Sequence, residues 1–366
     1  MKRAGFTLVE VMVASVIVVM LAAMFVALLS QTSGIWRRTA AKVEQFRAAR
    51  AAFETITTRL AQATLNVYWD YDNPTLPTKY RRRSELRFVS GPADQLLGTA
   101  PDGRQWLTHA VFFEAPLGVT ENDRYRGYEN MLCASGFYLE LGDDRAMRPS
   151  VISEAMVPLR IRPRLYEFWQ PGEANRIYKF TSGASGRNYY GREWFRQPLA
   201  SGAPPVHVLA ENILALIITP RLAPAEETEI KGKPATVSDA DFSPLAPDYL
   251  YDSSPTSVGN PATQRNLDPR TNPVHQLPPL LQVTMVATDE QSAELLGYTT
   301  AAADPLGLAT KFRQSRDYTS DLLLSGGEES IESKLIAQKV GYRIFNTNVI
   351  IRGAKWSREQ AEAMTP

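Results

Sequence analysis

Apolar residues cluster first in one nearly continuous block and then thin into helix-like and strand-like patterns. A five-residue leader carrying Lys2 and Arg3 precedes an apolar run from Phe6 to Leu29, interrupted only by Thr7, Glu10 and Ser15. At helical rise this run reaches roughly 36 Å, enough to cross a hydrocarbon layer of about 30 Å with some tilt. From Ile35 onward, Val43, Phe46, Ala49, Phe53, Ile56, Leu60 and Ala63 recur at intervals of three and four, as one stripe of an amphipathic helix does. Arg37, Arg38, Lys42, Glu44, Arg47, Arg50, Glu54 and Arg59 fill the other face, and no proline occurs before Pro74. The pattern predicts one helix of about sixty residues, with Gly34 as a place to bend. Its first part (6–29) spans a membrane and its second (30–65) lies on a globular domain.

Beyond Asn66 helix-period segments become scarce and strand-like runs dominate, with Ser84–Ser90 alternating at period two. Ser84–Ser90, His109–Glu114, Gly136–Leu141, Val157–Arg162, Leu165–Trp169, Asn212–Thr219, Leu280–Thr288 and Tyr342–Ile351 read as strands. Two short helices are expected at Asp289–Leu296 and Glu328–Lys339, each opening on acidic residues that suit a helix N-terminus. The fold class is α+β: a long N-terminal helix packed on a mostly antiparallel sheet, in a domain over 66–357 with a tail at 358–366. Pro220 to Pro279 holds 11 of the 25 prolines. It reads as a long surface loop inserted between core strands, and Gly183–Tyr190 as another loop. The aromatic segment Asn66–Pro74 reads as a turn whose rings cap the seam between helix and sheet, with a sugar or calcium site as the sharper alternative.

Composition narrows the chemistry. Forty basic residues oppose 39 acidic ones, so the chain is nearly neutral and has no long basic run; no nucleic-acid partner is expected. Arg81, Arg82 and Arg83 read as a solvated loop. Cys133, the single cysteine, lies in an apolar context and reads as a small buried hydrophobe. The three histidines, His109, His207 and His275, form no HExxH, and no zinc spacing, phosphate loop or nucleophile elbow is present. No cofactor, metal or catalytic role is expected, and the chain reads as a structural protein and not an enzyme.

Chemistry concentrates at the N-terminus. Lys2 and Arg3 on the short leading side orient the helix with its N-terminus in the cytoplasm and the domain outside. Glu10 is a carboxylate in a run built for lipid, and such a costly residue is a functional candidate by default. A signal peptide has a shorter apolar core, and a plain anchor would carry Glu10 by accident; both remain alternatives. The basic leader, Gly5, Phe6 and Glu10 resemble the signal of type IV prepilins and pseudopilins. That resemblance implies cleavage by prepilin peptidase between Gly5 and Phe6, and methylation of the new amine of Phe6. It also implies pairing of Glu10 with the N-terminal amine of a neighbouring subunit. Leaving the leader behind removes two cations, for 38 basic against 39 acidic residues.

Two closer resemblances bear on the rest of the chain. Phe46–Phe53, Arg59–Ala63 and Pro278–Thr288 are similar to the helix and a core strand of J-type minor pseudopilins of type II secretion. Gln31–Trp36, Tyr68–Tyr71, Tyr342–Phe345 and Ile351–Ser357 resemble the Verru_Chthon cassette protein C family, prepilin-signal proteins of Verrucomicrobia and relatives. The implied role is a minor pilin or pseudopilin subunit, held in inner-membrane lipid with its domain in the periplasm. Its partners would be the peptidase and other pilin subunits, met through the N-terminal helix in a pseudopilus or pilus-like fibre. The alternatives are a membrane-tethered binding protein or enzyme using the same export route, or a tip adhesin.

Overall fold

A computed structural model describes residues 7–71, 75–78, 80–100, 103–149, 151–175, 177, 191–231, 241–254, 271–298 and 304–355. Helix α1 covers Leu8–Leu60, as the nearly continuous apolar run and the three–four stripe require. The chain divides into two compact units, Met1–Arg47 and Ala48–Pro366. In the first, the stretch Leu8–Thr32 is long and apolar enough to span a membrane, and none of it is buried.

The second unit is built from antiparallel strands. They are β1 (Tyr68–Tyr71), β2 (Tyr80–Arg83), β3 (Phe88–Pro92), β4 (Gln105–Pro116), β5 (Leu132–Gly142) and β6 (Arg162–Gln170). After them come β7 (Val206–Glu211), β8 (Ile213–Arg221), β9 (Tyr251–Asp252), β10 (Leu280–Thr288) and β11 (Tyr342–Ile350). A six-stranded sheet has the order β7-β6-β5-β4-β3-β9, a three-stranded sheet β11-β10-β8, and β1-β2 form a separate ribbon. Short helices α2 (Ala93–Leu97), α3 (Glu193–Leu199), α4 (Pro224–Lys231), α5 (Glu290–Leu295), α6 (Tyr318–Leu322) and α7 (Ile331–Ala337) fill the connections. The α+β class with a long leading helix and mostly antiparallel sheets is therefore the observed one.

The C-terminal turns of α1 bury Ala49, Ala52, Phe53, Ile56 and Leu60. The Phe53 ring lies 5.6 Å from that of Phe345 on β11. Arg59 pairs with the buried Glu167 of β6. Beyond the helix, the Ala61 carbonyl accepts from Arg352 N at 3.1 Å, and Thr64 N donates to the Glu114 carbonyl at 2.9 Å. These contacts give the unit two distinct ends. At one lie Ala61, the C-terminal part of β4 and the chain after β11. At the other lie the β5–β6 connection, the start of β11 and α5, and Ala48, where the chain enters the unit.

The two sheets are joined at a bulge in β4. Register shifts between Leu107 and Ala110, and Thr108 there takes a φ of 44°. The released side chains turn to the edge of β8: Leu216 N donates to Thr108 Oγ1 at 3.0 Å and Ile218 N to His109 Nδ1 at 3.0 Å. Amides that would otherwise be buried without partners are thus satisfied by side chains where no strand pairs.

Several expectations are corrected. Val157–Arg162 is not a strand; β6 begins only at Arg162, because Arg148 and Asp144 hold Val157, Pro158 and Arg160 in a loop. Arg82 is not a solvated loop residue: it lies in β2, 7 % exposed, its guanidinium donating to Gln276 and to the Lys355 carbonyl. The rings of Tyr68, Trp69 and Tyr71 do not cap a seam but stand exposed. The described residues of the proline-rich stretch are not a surface loop. Its described residues bury Leu245, Ala246, Tyr249, Leu250 and Tyr251 and contribute β9 to the large sheet. Closely spaced prolines prevent a periodic pattern while the aromatic and leucine side chains still fill the core. Gly183–Tyr190 lies outside the described residues.

Candidate functional site at the start of the N-terminal helix

Thr7 and Glu10 begin α1 with a reciprocal pair of hydrogen bonds. Thr7 N and Thr7 Oγ1 each donate to Glu10 Oε2 at 2.9 Å, and Glu10 N donates to Thr7 Oγ1 at 3.4 Å. This is the capping box that a Thr-x-x-Glu spacing builds, satisfying donors that a helix start leaves without partners. The spacing was present in the sequence, but attention to the charge of Glu10 alone passes over Thr7. Only Oε2 is used in the cap, so the carboxylate has acceptor capacity left for a cation outside the chain.

The remaining hydroxyls of the apolar stretch are also turned inward. Ser15 Oγ donates to the Met12 carbonyl, Ser30 Oγ to Ala27 and Thr32 Oγ1 to Leu28, each at 2.8 Å. A segment built for hydrocarbon needs this internal satisfaction, because lipid offers no partner. Gly5, Phe6, Lys2 and Arg3, the other residues of the candidate signal, lie outside the described residues.

The globular unit uses its titratable residues structurally. His109 is fully buried; its Nε2 is 3.0 Å from the Phe312 carbonyl while Nδ1 accepts from Ile218. Those partners require the neutral tautomer protonated on Nε2, and burial lowers its pKa to about 4. His275 accepts from Ser84 N at 3.1 Å, and burial, with Arg87 and Arg83 adding to it, lowers its pKa to about 3. His207 is exposed, with its ring 5.4 Å from Trp169. Cys133 is buried and its thiol pushed up by burial, the reverse of an activated nucleophile. Among the described residues no group of His, Cys, Asp and Glu gathers three potential metal ligands.

Among the cavities bounded by described residues, two lie on this unit. One of about 230 Å³ is lined by Arg160, Arg162, Glu290, Ala293 and Tyr298, among others. Its charges are matched to one another: Arg160 and Arg162 both reach Glu290, and Arg162 also pairs with Glu211 at 3.3 Å. The other, about 330 Å³, lies between Tyr125, Met131, Leu132 and Asn175. Behind Asn175 sits Glu114, completely buried, its Oε2 accepting from Asn175 Nδ2 at 2.7 Å. Burial raises its pKa to about 8, more than the Asn175 hydrogen bond lowers it. Neither cavity brings a nucleophile together with a base.

Residues 1–26 match the family model of the prokaryotic N-terminal methylation motif. No curated protein and no solved structure matches the chain. The matched motif implies processing by prepilin peptidase, and together with the exposed apolar stretch Leu8–Thr32 that it overlaps it supports a membrane-anchored, type IV pilin-like protein.

Proposed function

We propose that the chain is a minor pilin or pseudopilin subunit, cut between Gly5 and Phe6 and methylated on Phe6, that assembles through α1 into a pseudopilus or pilus-like fibre. The observation that carries this reading is the methylation motif over residues 1–26, whose apolar part is a lipid-compatible helix with Glu10 held at its first turn. Lys2 and Arg3 keep the leader in the cytoplasm, and the Ala48–Pro366 unit stands in the periplasm. Prepilin peptidase exposes the Phe6 amine next to the cap. Glu10 then faces two demands: Oε2 closes the helix start of its own chain, and the carboxylate neutralises the amine of a neighbour. Extraction from lipid replaces tail contacts by helix–helix packing, and the ion pair removes the cost of two unpaired charges in an apolar fibre core. J-type pseudopilins and the Verru_Chthon cassette protein C family are the narrower kinships that the helix and strand segments favour. The test is the mass of the mature N-terminus after co-expression with a prepilin peptidase.

A further inference from the structure

One end of the large sheet holds buried acceptors that the fold does not serve. Register places Glu114 of β4, Ala134 of β5 and Gln170 of β6 side by side. Alternation along the strands puts all three on the face that also carries Phe112 and Phe168. That face is apolar: Phe112, Ala134, Phe168 and Ile177 belong to one core cluster. Glu114 is completely buried and Gln170 is 6 % exposed. Glu114 Oε1 and Gln170 Oε1 nevertheless have no hydrogen-bond partner among the described residues, a costly arrangement for buried polar atoms. The two side chains rise from backbones about 10 Å apart, two strand spacings, and the residue between them carries only a methyl group.

The larger cavity adjoins these residues. It is lined by Leu132, two positions before Ala134 on the same face, and by Gly172, two positions after Gln170. Asn175 also lines it, and Asn175 Nδ2 donates to Glu114 Oε2 at 2.7 Å. Its volume of about 330 Å³ falls within the roughly 300–1,000 Å³ of small-ligand pockets. Tyr125, Met131 and Leu132 give it apolar walls, and its one charged lining residue is Glu173. Glu173 Oε1 accepts from Thr120 Oγ1 at 2.8 Å, Glu121 N at 2.7 Å and Asn122 N at 2.9 Å, which fixes the carboxylate in place. No lysine, arginine or histidine lines the cavity.

We propose that this cavity, with the two unserved oxygens behind it, is a binding site for a small organic cation: a primary ammonium on an apolar body of about one ring. The ring lies against Tyr125, Met131 and Leu132, whose aromatic and thioether surfaces suit it, and the ammonium reaches Glu114 Oε1 and Gln170 Oε1. The match is one of charge and of hydrogen-bond polarity. A carboxyl stands at the wall and another behind the floor with no base lining the cavity, and both unserved atoms are acceptors, whereas an ammonium supplies donors alone. No described donor reaches either oxygen, so the proton that the buried carboxyl retains is the one at hand. A bound ammonium takes its place, and that proton leaves to solvent. Asn175 is the gate: it lines the cavity and holds Glu114 from the cavity side, and its side chain turns aside to admit the ligand. An anion would meet two carboxyl groups, and an apolar molecule would leave both acceptors unserved. The site belongs to the globular unit and does not depend on the assembly reading.

The test is isothermal titration of the full-length protein in mild detergent with phenethylammonium chloride and, separately, with 2-phenylethanol, which has the same ring and no charge. Glu114→Gln and Gln170→Leu, checked for unchanged melting, are titrated in the same micelles so that ligand uptake by detergent cancels. The expected result is that the wild type binds the ammonium at least about tenfold more tightly than the alcohol, that Glu114→Gln abolishes this preference, and that Gln170→Leu reduces it. Equal affinity for ammonium and alcohol would show an apolar cavity only and overturn the proposal. Ammonium binding that Glu114→Gln leaves unchanged would place the cation on Glu173 at the wall and overturn it too, as would the absence of binding by the wild type, a result that needs no variant to fold.

Discussion

Glu114 offers a quantitative test of how the globular unit is held together. Its side chain is completely buried on β4, one oxygen held by Asn175 and the other without a hydrogen-bond partner among the described residues. The folded protein keeps it protonated up to about 8, against an ordinary value of 4.5. Between those limits the unfolded chain releases a proton that the folded chain retains, so this group's contribution to stability is full below pH 4.5 and is lost as pH rises. At about 1.4 kcal/mol per tenfold in proton affinity, the loss is about 3 kcal/mol at pH 7 and roughly 5 kcal/mol once pH exceeds 8. Glu114→Gln keeps shape and hydrogen bonding but has no proton to release. The difference in unfolding free energy between Glu114→Gln and the wild type should therefore move by about 5 kcal/mol in favour of the variant between pH 4.5 and 8. Any constant cost of the amide drops out of that difference. Urea unfolding of the full-length protein in mild detergent, followed by tryptophan emission, measures it. Parallel pH profiles for the two proteins would refute the buried, neutral carboxyl.

The histidines act in the opposite direction. His109 and His275 are neutral when folded and titrate only near 4 and 3, against an ordinary 6.5. The unfolded chain binds protons first as pH falls below 6.5, so stability falls with it, by about 3 kcal/mol from His109 alone by pH 4. Glu114 opposes from above, and His109→Phe, which strands the Ile218 amide and Phe312 carbonyl, should cost about 2–5 kcal/mol at pH 6.5, where the folded wild-type histidine is neutral. At the helix start, Glu10→Gln retains the cap with Thr7 and removes only the charge. It should insert and be processed like the wild type, yet fail to enter fibres; normal incorporation, read by immunoblot of sheared fibres, would show that the charge pairing is not needed.

What could be read from the sequence was what strict periodicity encodes. Leu280–Thr288 is the observed β10, with nine register pairs to β11, because its leucine, valine, methionine and threonine residues suit a strand buried on both faces. Asp289 is the N-cap of α5, its carboxylate accepting from Ser292 N as a capping carboxylate does. The helix start was legible twice over, through the charge of Glu10 and, unnoticed, through its spacing from Thr7. Where long-range geometry decides, the reading failed. Arg82 is buried by partners at Gln276 and Lys355, far away in sequence. Tyr249 and Tyr251 are core residues in a stretch whose prolines break every local pattern, and β9 is too short to show a period. His109 was rightly placed on a strand, but its part in joining the two sheets depends on a bulge that no local signal announces.

Whether the chain is handled as a prepilin is read from its mature N-terminus. Full-length protein would be co-expressed with a prepilin peptidase, purified from membranes and analysed by intact mass and N-terminal peptide mass spectrometry. The expected product is a chain beginning at N-methylated Phe6. A chain that still begins at Met1, or one cut near Ser30 with the apolar helix removed, would contradict it.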